Sequence, residues 1–175
     1  MHINLSNLRH MPNATQVFHS HQLCPPFSVG PDLLTLEDAL DVNLKIMRVG
    51  KSFIISGSLQ AHIKVCCARC LKEFAFPLDV DFEDEWVLAE DFREYSDVFQ
   101  QRQDDVFCLA GEDVDITERI MEHLIVSLPM RFICSSECRG LCPQCGHNLN
   151  TGPCTCQDQA EDSRLKILAQ WNNKK

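Results

Sequence analysis

Four close pairs of cysteines restrict this chain more than any other part of its 175-residue sequence. They take up eight of the eleven cysteines: Cys67-x2-Cys70, Cys134-x3-Cys138, Cys142-x2-Cys145 and Cys154-x-Cys156. Zinc in structural sites takes four thiolate or imidazole ligands in a tetrahedron, and two cysteine pairs on tight turns supply such a set. The pairs therefore predict two structural zinc sites with these eight cysteines as ligands.

The sequence leaves two groupings of the pairs open. In the favoured one, the last four cysteines lie within 15 residues and close a local zinc knuckle, while the Cys67 and Cys134 pairs form a second, non-local site. The rival grouping joins Cys134, Cys138, Cys142 and Cys145, and leaves Cys67 and Cys70 with Cys154 and Cys156. Three cysteines remain as expected free thiols, and one histidine near a pair is a further possible ligand: Cys24, Cys66, Cys108 and His147.

Targeting signals are not visible in the sequence. The N-terminal residues contain no apolar segment typical of a secretory signal, and no apolar run approaches the roughly 18 residues that span a bilayer. We therefore expect a soluble, cytoplasmic protein without a membrane partner, in which clustered thiols stay reduced and bind metal.

The formal net charge is −9, and one segment accounts for it. Residues 79–105 contain eleven acidic residues and two arginines, so the rest of the chain is formally neutral. A site with four thiolates would add further negative charge. This balance excludes a protein that binds naked nucleic acid through bulk positive charge.

Period-two alternation predicts the central part of the fold. Apolar residues alternate with polar ones over 42–46, 53–65 and 74–88, and the acidic residues of 79–85 are partly the polar face of the third run. Residues 106–109 suggest a short returning strand. We expect an α+β fold, with an antiparallel β-sheet or a partly open barrel, one packed helix, a C-terminal zinc knuckle and a short C-terminal helix.

The packed helix is predicted from its two ends. Asp115 and Glu118 have the spacing of a capping box, apolar residues recur every four positions after them, and Pro129 ends the pattern. A second, shorter helix is predicted for residues 164–171. We expect one domain, divided into an irregular lead-in with at most one short strand (1–34), an antiparallel sheet with an acidic connection (35–113), a helix and cysteine-rich zinc region (114–156), and a C-terminal helix with a basic tail (157–175).

Motifs typical of catalysis are missing from the sequence. It has no His-Glu-x-x-His and no Gly-x-Ser-x-Gly, and Gly50-Lys51-Ser52 follows a lysine at position 45 where a phosphate-binding loop has glycine. We therefore expect the metal to be structural and the protein not to be an enzyme.

The cysteine motifs resemble those of the YceD family, the large ribosomal RNA subunit accumulation proteins. The resemblance rests on Cys67-Ala-Arg-Cys70-Leu71-x-x-Phe74, on a helix ending at Leu128-Pro129, and on the run from Cys134 to Cys156, which contains Cys138-Arg-Gly-Leu-Cys142-Pro-x-Cys145-Gly146. It covers roughly residues 35–170. It implies a bacterial cytoplasmic protein, or a plastid relative, that supports synthesis, processing or accumulation of large-subunit ribosomal RNA without known catalysis, and a link with a zinc-ribbon protein of the large subunit.

This resemblance suggests a ribosome-assembly factor that engages the large-subunit pre-ribosome. We expect a basic ribosomal protein to dock on residues 79–105 and direct contacts with ribosomal RNA to be weak. The cations available for phosphate contacts are Arg69, Lys72, Arg131, Arg139, Lys174 and Lys175. The alternative function is a zinc-thiolate redox switch or a holdase chaperone, which close cysteine pairs also fit.

Overall fold

The computed structural model describes residues 1–11, 13–30, 32–92 and 106–156. The helix predicted for 164–171, the basic tail and the acidic residues 93–105 lie outside the described residues. The elements follow in this order: β1 (His2–Asn4), α1 (Ser6–Arg9), β2 (Thr15–Gln22), β3 (Phe27–Val29), β4 (Asp32–Leu36), β5 (Leu40–Val49), β6 (Ser52–Cys66), β7 (Glu73–Leu88), β8 (Val106–Leu109), β9 (Asp113–Asp115) and α2 (Thr117–Ser127).

A seven-stranded sheet forms the body of the protein. Strand β6 is its centre: one edge pairs with β5 and then with β4, and the other edge pairs with β7 along almost its whole length. Strands β2 and β3 extend the sheet beyond β5 and β4, and the sheet does not close into a barrel. Strands β1 and β9 form a separate two-stranded sheet. The α+β class and the predominantly antiparallel sheet are confirmed.

Alternation places one face of the sheet in the core, as predicted. Every second residue of β5 from Leu40 to Ile46 is buried, and in β6 the buried set includes Phe53, Ile55, Leu59 and Ile63. The intervening polar residues of β6 are exposed or partly exposed. Burying this face stabilises the fold by about 25 cal/mol for each Å² of apolar surface removed from water.

Helix α2 covers part of the buried face. Ile116, Ile120 and Leu124 are fully buried, at successive turns of one stripe. The Asp115 carboxylate accepts the backbone N–H of Thr117 at 2.9 Å, but among the described residues Glu118 makes no return bond, so only half of the predicted capping box forms. Leu128 is extended, as a residue before proline must be, and the helix ends at Ser127.

The interpretation of residues 1–34 as an irregular lead-in is wrong. The eight residues of β2 pair in register with β5 from Thr15↔Met47 to Gln22↔Leu40, and β1, β3 and β4 are also strands. The pattern was hidden because β2 is an edge strand whose residues alternate between exposed and only partly buried, without a fully buried set. Pairing with β5 holds it in place, and Phe18 packs against the core from its partly buried face.

Strand β8 departs from the antiparallel pattern. It lies beside the last residues of β7 and runs parallel to them, with Glu85 opposite Val106 and Leu88 opposite Leu109. The residues 106–109 are a strand as predicted, but a parallel one. Parallel neighbours need a long crossover, and the chain between Leu88 and Val106 provides it.

Asp84 occupies an unexpected place on β7. It lies on the apolar face of the strand, between Phe82 and Trp86, and is buried. Arg119 of α2 binds its carboxylate with two hydrogen bonds of 2.7 and 2.8 Å, and His123 and the Trp86 indole add bonds of 2.9 and 3.0 Å. Asp84 is thus part of a buried polar cluster that joins α2 to the sheet, and does not contribute to the exposed acidic surface.

Gly57 of β6 permits the closest side-chain approach across the sheet. A Cβ atom there would lie 2.3 Å from the Phe82 ring, which is itself stacked on His123 at a 4.0 Å centroid distance. We expect Gly57→Ala to destabilise the fold by about 1–3 kcal/mol, because the added methyl group would overlap the Phe82 ring and force the ring to shift. Thermal unfolding should show this loss, whereas Gly111→Ala, where no atom lies within 4 Å, should change little.

No helix of the described residues is long and apolar enough to cross a membrane.

Candidate metal centre

The structure brings the eight paired cysteines together in two groups of four. The inner cluster contains Cys67, Cys70, Cys134 and Cys138, and the outer cluster contains Cys142, Cys145, Cys154 and Cys156. Within each group the sulfur atoms all lie within 4.8 Å of one another. The structure therefore has the favoured grouping and not the rival one. Cys24, Cys66 and Cys108 belong to neither cluster.

The inner cluster forms where strand β6 ends. The chain turns after Cys66, and Leu71 N–H and Lys72 C=O close the turn with bonds to Cys67 of 2.9 Å each. The segment after α2 is attached to this turn by the Ala68 N–H, which donates to the Phe132 carbonyl at 2.8 Å. Cys67 is fully buried, and Cys70 and Cys138 are buried. The inner cluster thus joins the end of the sheet to the chain beyond the helix.

The sulfur spacing of the inner cluster suits a tetrahedral metal ion. The Cys67 and Cys138 sulfurs are 3.8 Å apart, and the Cys70 and Cys134 sulfurs are 3.7 Å apart. A tetrahedral ion with metal–sulfur bonds of about 2.3 Å separates its ligands by about 3.8 Å. All four donors are thiols at close range, so the cluster could hold a metal ion.

Backbone N–H groups favour the thiolate form of Cys67 in the inner cluster and of Cys142 in the outer cluster. The N–H of Cys134, at 3.4 Å, and those of Arg69 and Cys70 lower the pKa of Cys67 to about 6. The N–H groups of Cys145 and Gln144 lower the pKa of Cys142 to about 6 in the same way. Burial raises the pKa of Cys134 to about 12. Four adjacent thiols cannot all ionise alone, so a metal ion that binds them must displace protons.

The outer cluster is built on a second tight turn. Cys142 donates its N–H to the His147 carbonyl at 2.8 Å, and Gly146 donates to the Cys142 carbonyl at 2.9 Å. Gly146 has φ +71°, which glycine adopts without strain. Cys145 is exposed and Cys154 and Cys156 are partly exposed, so this cluster is more open to solvent than the inner one. The side chain of His147 is not a member of the cluster.

Asn150, from the loop between the two outer cysteine pairs, binds the inner cluster, a role that the sequence did not predict. Its Nδ2 donates to the Cys138 sulfur at 3.4 Å, and its Oδ1 accepts the Arg139 N–H at 2.8 Å. The Leu141 N–H also donates to the Arg69 carbonyl at 3.1 Å. Gly140 lies beside the same carbonyl, and a Cβ atom at Gly140 would be 3.1 Å from its oxygen. An asparagine between two cysteine pairs was the only signal for this contact.

The four cations predicted near the cysteine turns are all exposed: Arg69, Lys72, Arg131 and Arg139. The Arg69 guanidinium is held by the carbonyls of Cys138, at 3.0 Å, and Ser136, at 3.4 Å. Within the described chain, the other three form no ion pair. They are therefore placed to meet an anion from outside.

The fold and the two clusters define a class of protein: an antiparallel-sheet domain whose cysteine-rich C-terminal region can hold two metal ions. The model of one family, described as "Large ribosomal RNA subunit accumulation protein YceD", matches residues 55–171. The chain belongs to the YceD family.

Relatives in several organisms resemble this chain at low identity. An uncharacterized protein of Mycobacterium tuberculosis is 24% identical over 170 residues, which cover 96% of this chain and 80% of the relative. The Bacillus subtilis protein YlbN is 27% identical over 105 residues, 59% of this chain and 55% of its own length. The maize chloroplastic protein named large ribosomal RNA subunit accumulation protein YCED homolog 1 is 36% identical over 52 residues, 29% of this chain and 18% of its own. No solved structure matches the chain significantly.

Proposed function

We propose that this protein is a non-enzymatic, zinc-binding factor that supports biogenesis of the large ribosomal subunit, through synthesis, processing or accumulation of its RNA. The match of the YceD family model over residues 55–171 carries the proposal. It acts as one domain in the bacterial cytoplasm, where it binds a ribosomal protein, precursor ribosomal RNA, or both.

The chemistry of the donors supports zinc as the proposed metal. Two sets of four thiols with tetrahedral spacing are typical of structural zinc, and soft thiolates favour zinc over calcium or magnesium. No position in either set is left for a substrate, so the ions stabilise the fold and do not catalyse a reaction. The eight paired cysteines are the proposed zinc ligands.

The protein partner docks on an acidic face of the sheet. We define the acidic face as the exposed carboxylates Asp79, Asp81 and Glu83 of β7, which form no ion pair with described residues. Other acidic residues of the segment are already used: Glu90 pairs with Arg9, and Asp91 pairs with Lys51 at 3.6 Å. Electrostatic complementarity therefore favours a basic ribosomal protein at the acidic face.

Sedimentation of cell extracts tests this proposal. The tagged wild-type chain is expected in fractions that contain large-subunit precursors, and its depletion is expected to lower large-subunit RNA relative to small-subunit RNA. The variant Asp79→Lys/Asp81→Lys/Glu83→Lys should leave these fractions. The control Glu37→Lys/Asp113→Lys/Glu118→Lys makes the same charge change at exposed positions elsewhere and should remain. A wild-type chain that never sediments with precursors, or a depletion that leaves both RNAs in balance, would contradict the proposal.

A second candidate function is a zinc-thiolate redox switch or holdase chaperone. The exposure of Cys145 favours it, because oxidants reach exposed thiolates first. Peroxide would then oxidise the thiolates, release zinc and produce anti-aggregation activity toward an unfolded test protein. Zinc that stays bound under peroxide, or that leaves without such activity, counts against this function.

A further inference from the structure

A cleft of ≈ 440 Å³ lies between the inner cluster and the loop that carries the outer one. One wall contains Lys72 and Phe74, just after the inner cysteine turn. The other wall contains Ser135, Asn148 and Thr151. Its volume is within the range of sites that hold a small organic group, about 300–1,000 Å³.

The cleft walls combine three kinds of chemistry. Lys72 is exposed and forms no ion pair among the residues that the structure describes, so it offers an ammonium group. Phe74 is half-buried and packs on the inner cluster, so it offers part of an aromatic ring. The Oδ1 atom of Asn148 accepts two hydrogen bonds from Asn150, at 2.8 and 3.0 Å. The Nδ2 of Asn148 therefore remains as a donor for a ligand.

Leu71, which precedes the cleft residue Lys72 in the chain, has an unusual backbone conformation. Its φ is +58°, close to the +71° of Gly146 in the equivalent turn of the outer cluster. A leucine pays for this conformation in strain, whereas glycine does not, and the Leu71 side chain remains 65% exposed. The turn fixes this backbone conformation, and the exposed Leu71 side chain is therefore accessible to a ligand beside Lys72.

Cations outnumber acidic residues in the two segments around the cleft. Residues 67–74 and 130–156 contain four cations, Arg69, Lys72, Arg131 and Arg139, and two acidic residues, Glu73 and Glu137. The thiolates of two bound zinc ions would outweigh these cations, so the region would have no bulk attraction for an anion, and the ammonium group of Lys72 itself would make the phosphate contact.

We propose that the cleft binds one unstacked nucleotide of single-stranded RNA. Lys72 contacts its phosphate, Phe74 and Leu71 contact the flat face of its base, and Asn148 donates to an edge of the base. Proteins read single-stranded RNA through such combinations of cation, aromatic surface and amide. This site rests on the proposed function, since it names where that factor contacts precursor RNA.

The test uses the zinc-loaded full chain and a fluorescent single-stranded RNA of twelve nucleotides at low salt. Lys72→Ala is expected to weaken binding about tenfold and to reduce the slope of log affinity against log salt by about 0.7, the value for one lost phosphate contact. Lys45→Ala, which removes an exposed lysine from β5, should change neither quantity. Leu71→Gly should weaken binding by about threefold or more, as a lost base contact does, without lowering the melting temperature, because it relieves the backbone.

Photocrosslinking with 4-thiouridine RNA locates the contact. Crosslinks to residues 71–74 or 148–151 support the cleft, and crosslinks confined to the sheet overturn it. The Lys72 and Leu71 variants could bind RNA like wild type but no longer sediment with precursors. In that case the cleft binds a protein, and the proposal of an RNA site is overturned while the proposed function stands. If wild type neither sediments with precursors nor affects ribosomal RNA, the proposed function itself fails.

Discussion

The double variant Cys67→Ser/Cys70→Ser is expected to lose one zinc ion per chain and most of its thermal stability. These two cysteines end strand β6, and their partners Cys134 and Cys138 belong to the segment beyond helix α2. A structural zinc ion contributes on the order of 10 kcal/mol, which is comparable to the whole stability of a domain of this size. Without this ion, the described chain after the helix would be held to the sheet and to the cysteine turn by apolar contacts such as those of Phe132 and by hydrogen bonds such as those of Arg69.

Metal analysis and thermal unfolding check this expectation together. Wild type should contain two zinc ions per chain. The variant Cys142→Ser/Cys145→Ser should also lose one, but its sheet should unfold close to the wild-type temperature, because the outer cluster closes within one local segment. Cys66→Ser/Cys108→Ser, which removes two exposed thiols outside both clusters, should change neither zinc content nor melting. Equal melting temperatures for the two cluster variants would contradict the role given to the inner cluster.

Asp84→Ala is expected to destabilise the fold by about 3–5 kcal/mol. The substitution leaves the Arg119 guanidinium, which is three-quarters covered, without its carboxylate partner, and an unpaired buried charge is costly. It also removes the acceptor of the Trp86 indole and of His123. Urea unfolding at pH 7 measures the loss. Glu83→Ala, at the exposed neighbouring position, should change stability by less than about 0.5 kcal/mol.

Two further measurements separate the charge effect from a general packing defect. Asp84→Leu/Arg119→Met removes both charges and should recover part of the stability lost in Asp84→Ala. Burial opposes ionisation of Asp84, but the hydrogen bonds from Arg119, His123 and Trp86 outweigh it and lower its pKa. The contribution of Asp84 is therefore present above its unfolded pKa of about 3.9 and decreases as the pH falls below that value. The gap between wild type and Asp84→Ala should narrow at pH 3, and a constant gap would contradict this account.

The sequence predicted the parts of the fold that have one fully buried face. Strands β5, β6 and β7 alternate clearly because each second side chain lies in the core, and α2 is marked by Asp115 and Pro129. It did not predict β2, whose pairing with β5 depends on backbone bonds and leaves no fully apolar face. The direction of β8 relative to β7 could not be predicted either, because the sequence of a four-residue strand does not indicate whether its neighbour is parallel or antiparallel.

The residues of the candidate site were predictable from the sequence, but the contacts around them were less so. Pair spacing identified all eight cysteines, and proximity in sequence favoured the grouping that the structure has. The contacts of Asn150 and the buried position of Asp84 depend on which distant side chains face them. Asp84 reads as one more acidic residue until Arg119, 35 positions later, is placed beside it.

During synthesis of the chain, the inner cluster can form only late, after its last cysteine has been made. A ribosome adds about 5–20 residues per second, so Cys70 emerges about 3–13 s before Cys134, its neighbour 64 residues later. The interval between synthesis of β1 and synthesis of its partner β9 is longer still, since His2 pairs with Asp115. The first half of the chain therefore cannot complete its fold until Cys138 has been made, and the thiols of Cys67 and Cys70 stay open to oxidants and competing metals until then. The zinc supply during synthesis should thus determine what fraction of newly made chains reaches the native state.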